Sequence, residues 1–319
     1  MLKHRGIVIH DTDCGPYWAE RLEKSGLDTV GVHPAGGTEA HLTLAACMEL
    51  VRTDRFGEFR RRMNRAGIAV EFEMHALSWL LPRELFRDRP DWFRMDEKGE
   101  RTPLFNCCAS SPDALAFIRD RAAVLAAAFP SDTGRYHFWI DDTAEARCHC
   151  PLCRELSAAD QALRITNAIA EGVRRTDPRG RTAYLAYCGT LREPERTEPL
   201  PCLFLEFAPI GRDFDRSLFD PASERNAAQT ARLPALLDFF GTKDAKALDY
   251  WVDNSLFSGW KLPPKQFSLN RDVCRADVTG YAARGFETVT SFGCYLGENY
   301  RDLWGDAPVE EYFRILGDV

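Results

Sequence analysis

SPDALAFIRDRAAVLAAAFP, residues 111–130, followed by YHFWIDD, residues 136–142, carries the pattern from which the rest of the chain can be parsed. Ser111 is a capping residue and Pro112 sits in the first helical turn, so the run that follows reads as a helix to Phe129, stopped by Pro130. Tyr136–Ile140 is a short aromatic and apolar run of strand character that closes on two acids. A helix that feeds a short buried strand ending in polar residues is one unit of an alternating βα chain.

The same unit recurs in both directions. Strand-like runs fall at Gly6–His10, Thr29–His33, Ile68–His75, Tyr136–Ile140, Thr182–Tyr187, Cys202–Phe207, Ala247–Trp251 and Glu287–Phe292. Helical stretches fall between them, at Tyr17–Lys24, Leu42–Ala66, Leu156–Arg175, Ala222–Phe240, Asn270–Arg284 and Pro308–Leu316. The order βαβα implies a parallel sheet. Eight strands and 319 residues predict an α/β chain folded as a single (β/α)8 TIM barrel, which typically takes about 250 residues. Residues 1–319 are read as one domain with loop insertions after strands three and four; no repeat or low-complexity run interrupts it.

Composition narrows the partners. A net charge of −7 with both signs interspersed argues against nucleic acid and against an anionic membrane surface. The start, MLKHRGIVIHDTD, carries an apolar stretch too short for a secretion signal and reads directly into strand one, so the expectation is a cytoplasmic protein. No run is long and apolar enough to span a bilayer. Gly36-Gly37 and Gly211 match neither a dinucleotide nor a phosphate-binding loop, so no organic cofactor is expected. Self-association is left open.

Six of the eleven cysteines are scattered singly and read as small buried apolar residues. Cys148, Cys150 and Cys153 are different, falling within one tight loop after strand four, with Cys107-Cys108 in the loop after strand three. Neighbouring strands bring the two loops together. Three thiolates from one loop and a fourth from the other would build the closed tetrahedral site that structural zinc favours. His149 is an alternative ligand, and free or redox-active thiols are the alternative use.

Chemistry is expected at the C-terminal ends of the strands. His10 and Asp11 end strand one, His33 strand two, and Glu73 and His75 strand three with Trp79 beyond. Asp141-Asp142 end strand four and Glu206 falls in strand six. Tyr250-Trp251 end strand seven with Asp253 beyond, and strand eight runs on to Tyr295 and Glu298. A ring of carboxylates and flat aromatic rings suits a sugar, whose apolar face stacks and whose hydroxyls donate to acids. Side chains alternate along a strand, so one of the two adjacent aspartates faces the axis. Asp142 is preferred as the chemical residue, with Asp141 orienting a neighbour or the substrate; the competing use is a loop cap or a salt bridge to Arg147, and Glu145 is near enough to substitute.

The segments Cys107-Cys108-Ala109-Ser110-Ser111-Pro112, Asp142 with Cys148-x-Cys150-x-x-Cys153, Asn167-Ala168-Ile169-Ala170, Leu185-Ala186-Tyr187, Pro209-Ile210 and Asp249-Tyr250-Trp251 together resemble the bacterial family labelled domain of unknown function 4838. Order and spacing agree from about residue 100 to the end. The resemblance implies a barrel like those of glycoside hydrolases and a carbohydrate ligand. It also implies Cys108, rather than Cys107, as the fourth metal ligand, and marks Asp142 as the aspartate that precedes the cysteine block. The chain departs from the pattern at Asp141, where asparagine is common, and at Glu206, and the usual N-terminal accessory domain is not expected.

The leading expectation is a glycosidase with Asp142 as general acid or acid/base and Glu206, Asp253 or Glu298 as second carboxylate. Two others stand beside it. One is a non-catalytic carbohydrate-binding barrel. The other is a metal-dependent lyase or isomerase that gathers an ion at His10, His33 and His75, with Asp11 or Glu73.

Overall fold

The computed structural model describes residues 2–319. Eight parallel strands close into a barrel in chain order: β1 His4–His10, β2 Thr29–His33, β3 Ala69–His75, β4 Arg135–Trp139, β5 Arg181–Ala186, β6 Leu203–Phe207, β7 Lys246–Asp249 and β8 Thr288–Phe292. β8 pairs back onto β1, with His4 opposite Thr288. The fold expected from the βα repeat is the one observed, and each strand lies within two residues of its predicted bounds.

Alternation along each strand sorts the side chains. Ile7 and Ile9, Val30 and Val32, Val70, Phe72 and Met74, and Leu203, Leu205 and Phe207 join one buried apolar layer with helical Phe56, Phe59, Met63, Ile118 and Val173. Full burial of each such side chain is worth roughly 1.5–3 kcal/mol against the entropy of ordering it. The helices Pro112–Ala128 and Ala158–Thr176 pack closely because Gly172 brings no side chain; a Cβ there would meet the Arg119 carbonyl and the Ala122 side chain.

Two predicted helices are each broken in two. The Leu42–Ala66 stretch forms Ala40–Leu50 and Asp54–Arg65, because Thr53 accepts a hydrogen bond from the Phe56 amide and starts a new helix. Ala222–Phe240 forms Glu224–Thr230 and Leu233–Phe240, with Pro234 in the first turn of the second.

The inward residues of the lower barrel are charged. Glu71 binds Arg135 at 2.7 Å, and Arg135 reaches Thr288 at 2.6 Å. One level up, Glu206 receives His137 at 2.8 Å, the Trp139 indole at 2.7 Å and Lys246 at 3.0 Å; Lys246 also lies 2.5 Å from Glu73. These groups are buried, and three carboxyls face three basic groups. Gly31 leaves room for Glu73, since a Cβ there would collide with its carboxylate. Burial alone would lower His137, but Glu206 and Glu73 outweigh it and push it up to about 9. Burial alone would raise Glu206, but His137 and Lys246 hold it down at about 2. The cluster forms the base on which the mouth of the barrel is built.

Candidate active site at the mouth of the barrel

Above that base lies a cavity of about 400 Å³. Trp139, Leu248 and Phe292, the top inward residues of β4, β7 and β8, line it together with His33 and His75, which end β2 and β3. His10 ends β1, and loops after the strands add Gly37, Asp142, Tyr187, Tyr250, Asp253 and Tyr295, with Trp260 at 62% exposure. None of these lining residues is lysine or arginine.

The three histidines share one arrangement. Nδ1 of His10 lies 3.3 Å from the His33 carbonyl, that of His33 2.7 Å from the Glu73 carbonyl, and that of His75 2.7 Å from the Ile140 carbonyl. A carbonyl can only accept, so each Nδ1 carries the proton, and in the neutral ring Nε2 is left as an acceptor. Burial, joined by His10 and His75, pushes His33 down to about 3, and burial also lowers His10. The ring centroids stand 6.0 and 6.4 Å apart along the row. Among the described residues no three-histidine group brings three ligand atoms within 4.8 Å of one another, so the arrangement does not favour the metal-dependent reading.

Asp142 stands beside this row. Its Oδ2 accepts the Gly37 amide at 3.0 Å, its Oδ1 accepts the Tyr187 hydroxyl at 3.2 Å, and His75 Nε2 lies 3.8 Å from Oδ1. Gly36 must lack a side chain here, because a Cβ would press on Asp142 and His75. The only other carboxylate of the wall is Asp253. Its Oδ1 accepts from the Ser255 amide and hydroxyl and the Leu256 amide, while Oδ2 meets no protein donor among the described residues. Burial raises Asp253 to about 6, against the opposing pull of Ser255.

Several residues expected at the mouth lie elsewhere. Glu73 and Glu206 are pinned in the charged base beneath Trp139. Asp141 is buried behind the cavity, where its Oδ2 accepts the Asn106 amide at 2.6 Å and its own amide donates to the Asn106 side chain at 3.1 Å. Asp141 also borders a smaller cavity with Glu145, while Arg147 bonds the Leu156 carbonyl rather than the aspartate pair. Asp11 is buried in the turn after β1, and Glu298 lies in the first turn of the helix Glu298–Trp304; neither lines the cavity. Trp79 packs under Arg121, 4.0 Å from the guanidinium carbon, and Trp251 donates to Asp277 behind the barrel. His10, His33, His75, Asp142, Tyr250, Asp253 and Tyr295 do come together. Trp139, an aromatic residue at the end of strand four, also lines the cavity, while Gly37, Tyr187 and Trp260 were not singled out from sequence for this site. Tyr187 carried the one usable signal, as the polar aromatic closing strand five.

The cysteines cluster as their spacing suggests. One sulfur from each of Cys108, Cys148, Cys150 and Cys153 lies within 4.8 Å of the other three, all buried, while His149 turns away toward Glu97. Among the described residues no helix is long and apolar enough to cross a membrane.

A search of curated protein sequences gives no match. Among solved structures, a β-N-acetylhexosaminidase from Bacteroides fragilis NCTC 9343 superposes with a TM-score of 0.59 at 11% identity, over 98% of this chain and 66% of that one. This chain thus spans about two thirds of the hexosaminidase. An endo-β-1,4-glucanase from Xanthomonas axonopodis pv. citri gives 0.54 at 11% identity over 100% of both chains. A GH5-4 broad specificity endoglucanase from an uncultured bacterium gives 0.52 at 10% identity, over 94% of this chain and 83% of that one. At such identities the likeness concerns the fold alone, a barrel that this chain shares with those glycoside hydrolases. The sequence model described as Domain of unknown function (DUF4838) matches residues 48–232, beginning upstream of the expected stretch and ending before Asp249. That match takes in more than half of the 319 residues, and the chain belongs to the family of domain of unknown function 4838.

Proposed function

We propose that this protein hydrolyses a glycosidic bond of a neutral sugar held in the histidine-lined cavity, with Asp142 and Asp253 as its working carboxylates. The observation that carries the reading is Asp142 itself, held by the Gly37 amide and the Tyr187 hydroxyl in an aromatic-walled cavity at the strand ends. The row of imidazoles, with burial lowering the pKa of His10 and His33, suits the hydroxyl edge of a sugar ring. Tyr250, Tyr295 and Trp260 offer flat faces for its apolar side. With no lysine or arginine in the wall, and with burial lowering the pKa of His10 and His33, a uronate or phosphorylated sugar would find no fixed positive charge there.

The two carboxylates differ in a way that divides the work. Asp253, raised to about 6 with a free Oδ2, suits the proton donor to the glycosidic oxygen. Asp142, the target of two donated hydrogen bonds, suits the anionic partner that activates water or attacks the anomeric carbon. This assigns the acid to Asp253 rather than to Asp142, the residue preferred from sequence.

A panel of neutral and acidic nitrophenyl glycosides tests the reading. Nitrophenol release from at least one neutral glycoside, abolished in both Asp142→Asn and Asp253→Asn, is expected. No turnover of any neutral sugar, or turnover confined to uronides, would overturn it.

A further inference from the structure

We propose that Cys108, Cys148, Cys150 and Cys153 hold one zinc ion in an all-sulfur site, and that this ion staples together the two loops that position Asp141 and Asp142. A tetrahedral site with Zn–S bonds of about 2.3 Å places its sulfurs about 3.8 Å apart. Cys108 Sγ lies 3.7 Å from Cys150 Sγ and 3.8 Å from Cys153 Sγ. Those separations are far beyond the roughly 2.05 Å of a disulfide. All eleven cysteines are free thiols, yet only these four gather so closely among the described residues.

The surroundings complete the site. Four thiolates on a dication leave two negative charges to be offset. The Met95 amide donates to Cys148 Sγ at 3.3 Å, the Arg101 guanidinium lies 3.9 Å from the same sulfur, and the Ser110 hydroxyl lies 3.2 Å from Cys153 Sγ. Gln161 clamps the loop from below, accepting the Cys148 amide and donating to the Cys148 and Cys153 carbonyls. The other cluster within the same span, Glu71, Glu73 and His137, already has Arg135 and Lys246 as its cations and offers an ion nothing.

The consequence for the site runs through Asn106. It stands two residues before Cys108, exchanges two hydrogen bonds with Asp141, and ties the Ala146 carbonyl with its side-chain amide at 2.7 Å. A closed four-sulfur site leaves no coordination position for substrate, so the ion acts on structure and not on the reacting bond.

Protein purified under reducing conditions is expected to carry one zinc per chain, with X-ray absorption showing four sulfurs at about 2.3 Å. Cys108→Ser is expected to lose most of the metal and Cys107→Ser to keep it. Stripping the zinc with a chelator is expected to speed amide hydrogen exchange at Asn106 and Asp141 more than in the strands, and zinc alone to restore protection. Metal-free wild-type protein that takes up no added zinc would overturn the proposal. So would bound iron in place of zinc, or metal lost from Cys107→Ser and retained in Cys108→Ser. These readouts need no substrate, so they stand or fall apart from the glycosidase reading.

Discussion

The Tyr187 hydroxyl donates to Asp142 Oδ1 at 3.2 Å, joining the last residue before a turn on the β5 side to the carboxylate that follows β4. With the Gly37 amide on the other oxygen, this bond fixes the carboxylate plane against the cavity. A hydrogen bond to a charged group contributes about 1.5–3 kcal/mol, which is roughly 10–100-fold in rate when the bond serves the transition state. Tyr187→Phe is therefore expected to lower kcat within that range with little change in KM. A loss confined to KM would place Tyr187 in uniform substrate binding instead.

The pH profile follows from Asp253. A proton donor works in its protonated form, and burial raises this carboxyl to about 6. The kcat/KM of the free enzyme is thus expected to fall as pH rises through about 6. Asp253→Asn should remove that limb together with most of the activity. A rate that instead climbs through the same range would make Asp253 the base.

The charged base of the barrel predicts a pattern of stability. His137 faces Glu71 and Glu73 from β3, Glu206 from β6 and Lys246 from β7, with Arg135 on its own strand. Its folded pKa, about 9, lies above the ordinary 6.5, so its contribution is whole below 6.5 and is lost as pH rises toward 9. Glu206, held at about 2 against an ordinary 4.5, contributes fully above 4.5 and loses that contribution as pH falls toward 2. Calorimetry should show Tm falling on both flanks, with the alkaline fall flattened in His137→Asn.

Glu206→Ala separates that base from the catalytic pair. Removing one partner of a buried ion pair costs about 3–5 kcal/mol, so a large drop in Tm is expected. Single-turnover chemistry at low temperature, in whatever fraction stays folded, should keep far more activity than Asp142→Asn. Equal loss in the two variants would return Glu206 to the reaction.

Much of the barrel was legible because strands buried on both faces are nearly continuous apolar runs, and the helices carry caps such as Ser111 and prolines such as Pro130. Depth along the axis was not legible. Alternation tells that Glu73, His75, His137 and Trp139 point inward, but only the register, with Glu73 opposite His137 and His75 opposite Trp139, tells which level is base and which is mouth. Lys246, the counter-charge that takes Glu206 out of the mouth, sits at the very start of β7, just outside the apolar run by which that strand was recognised. Trp79 and Trp251 looked like sugar platforms, and nothing local distinguished them from Trp260, which lies in an irregular loop. Cys148, Cys150 and Cys153 were readable because their spacing within one loop is itself the signal, whereas Cys108, on another loop, was told from Cys107 only by the family resemblance.

Whether Asp142 does chemistry on a neutral sugar bound in this cavity is decided by parallel kinetics and calorimetric binding on wild type and Asp142→Asn. With the best neutral aryl glycoside, kcat is expected to fall by about 10²–10⁴-fold or more in the variant, with sugar affinity and Tm nearly unchanged. An unchanged kcat would take Asp142 out of the chemistry, and binding with no turnover in the wild type would leave a carbohydrate-binding barrel.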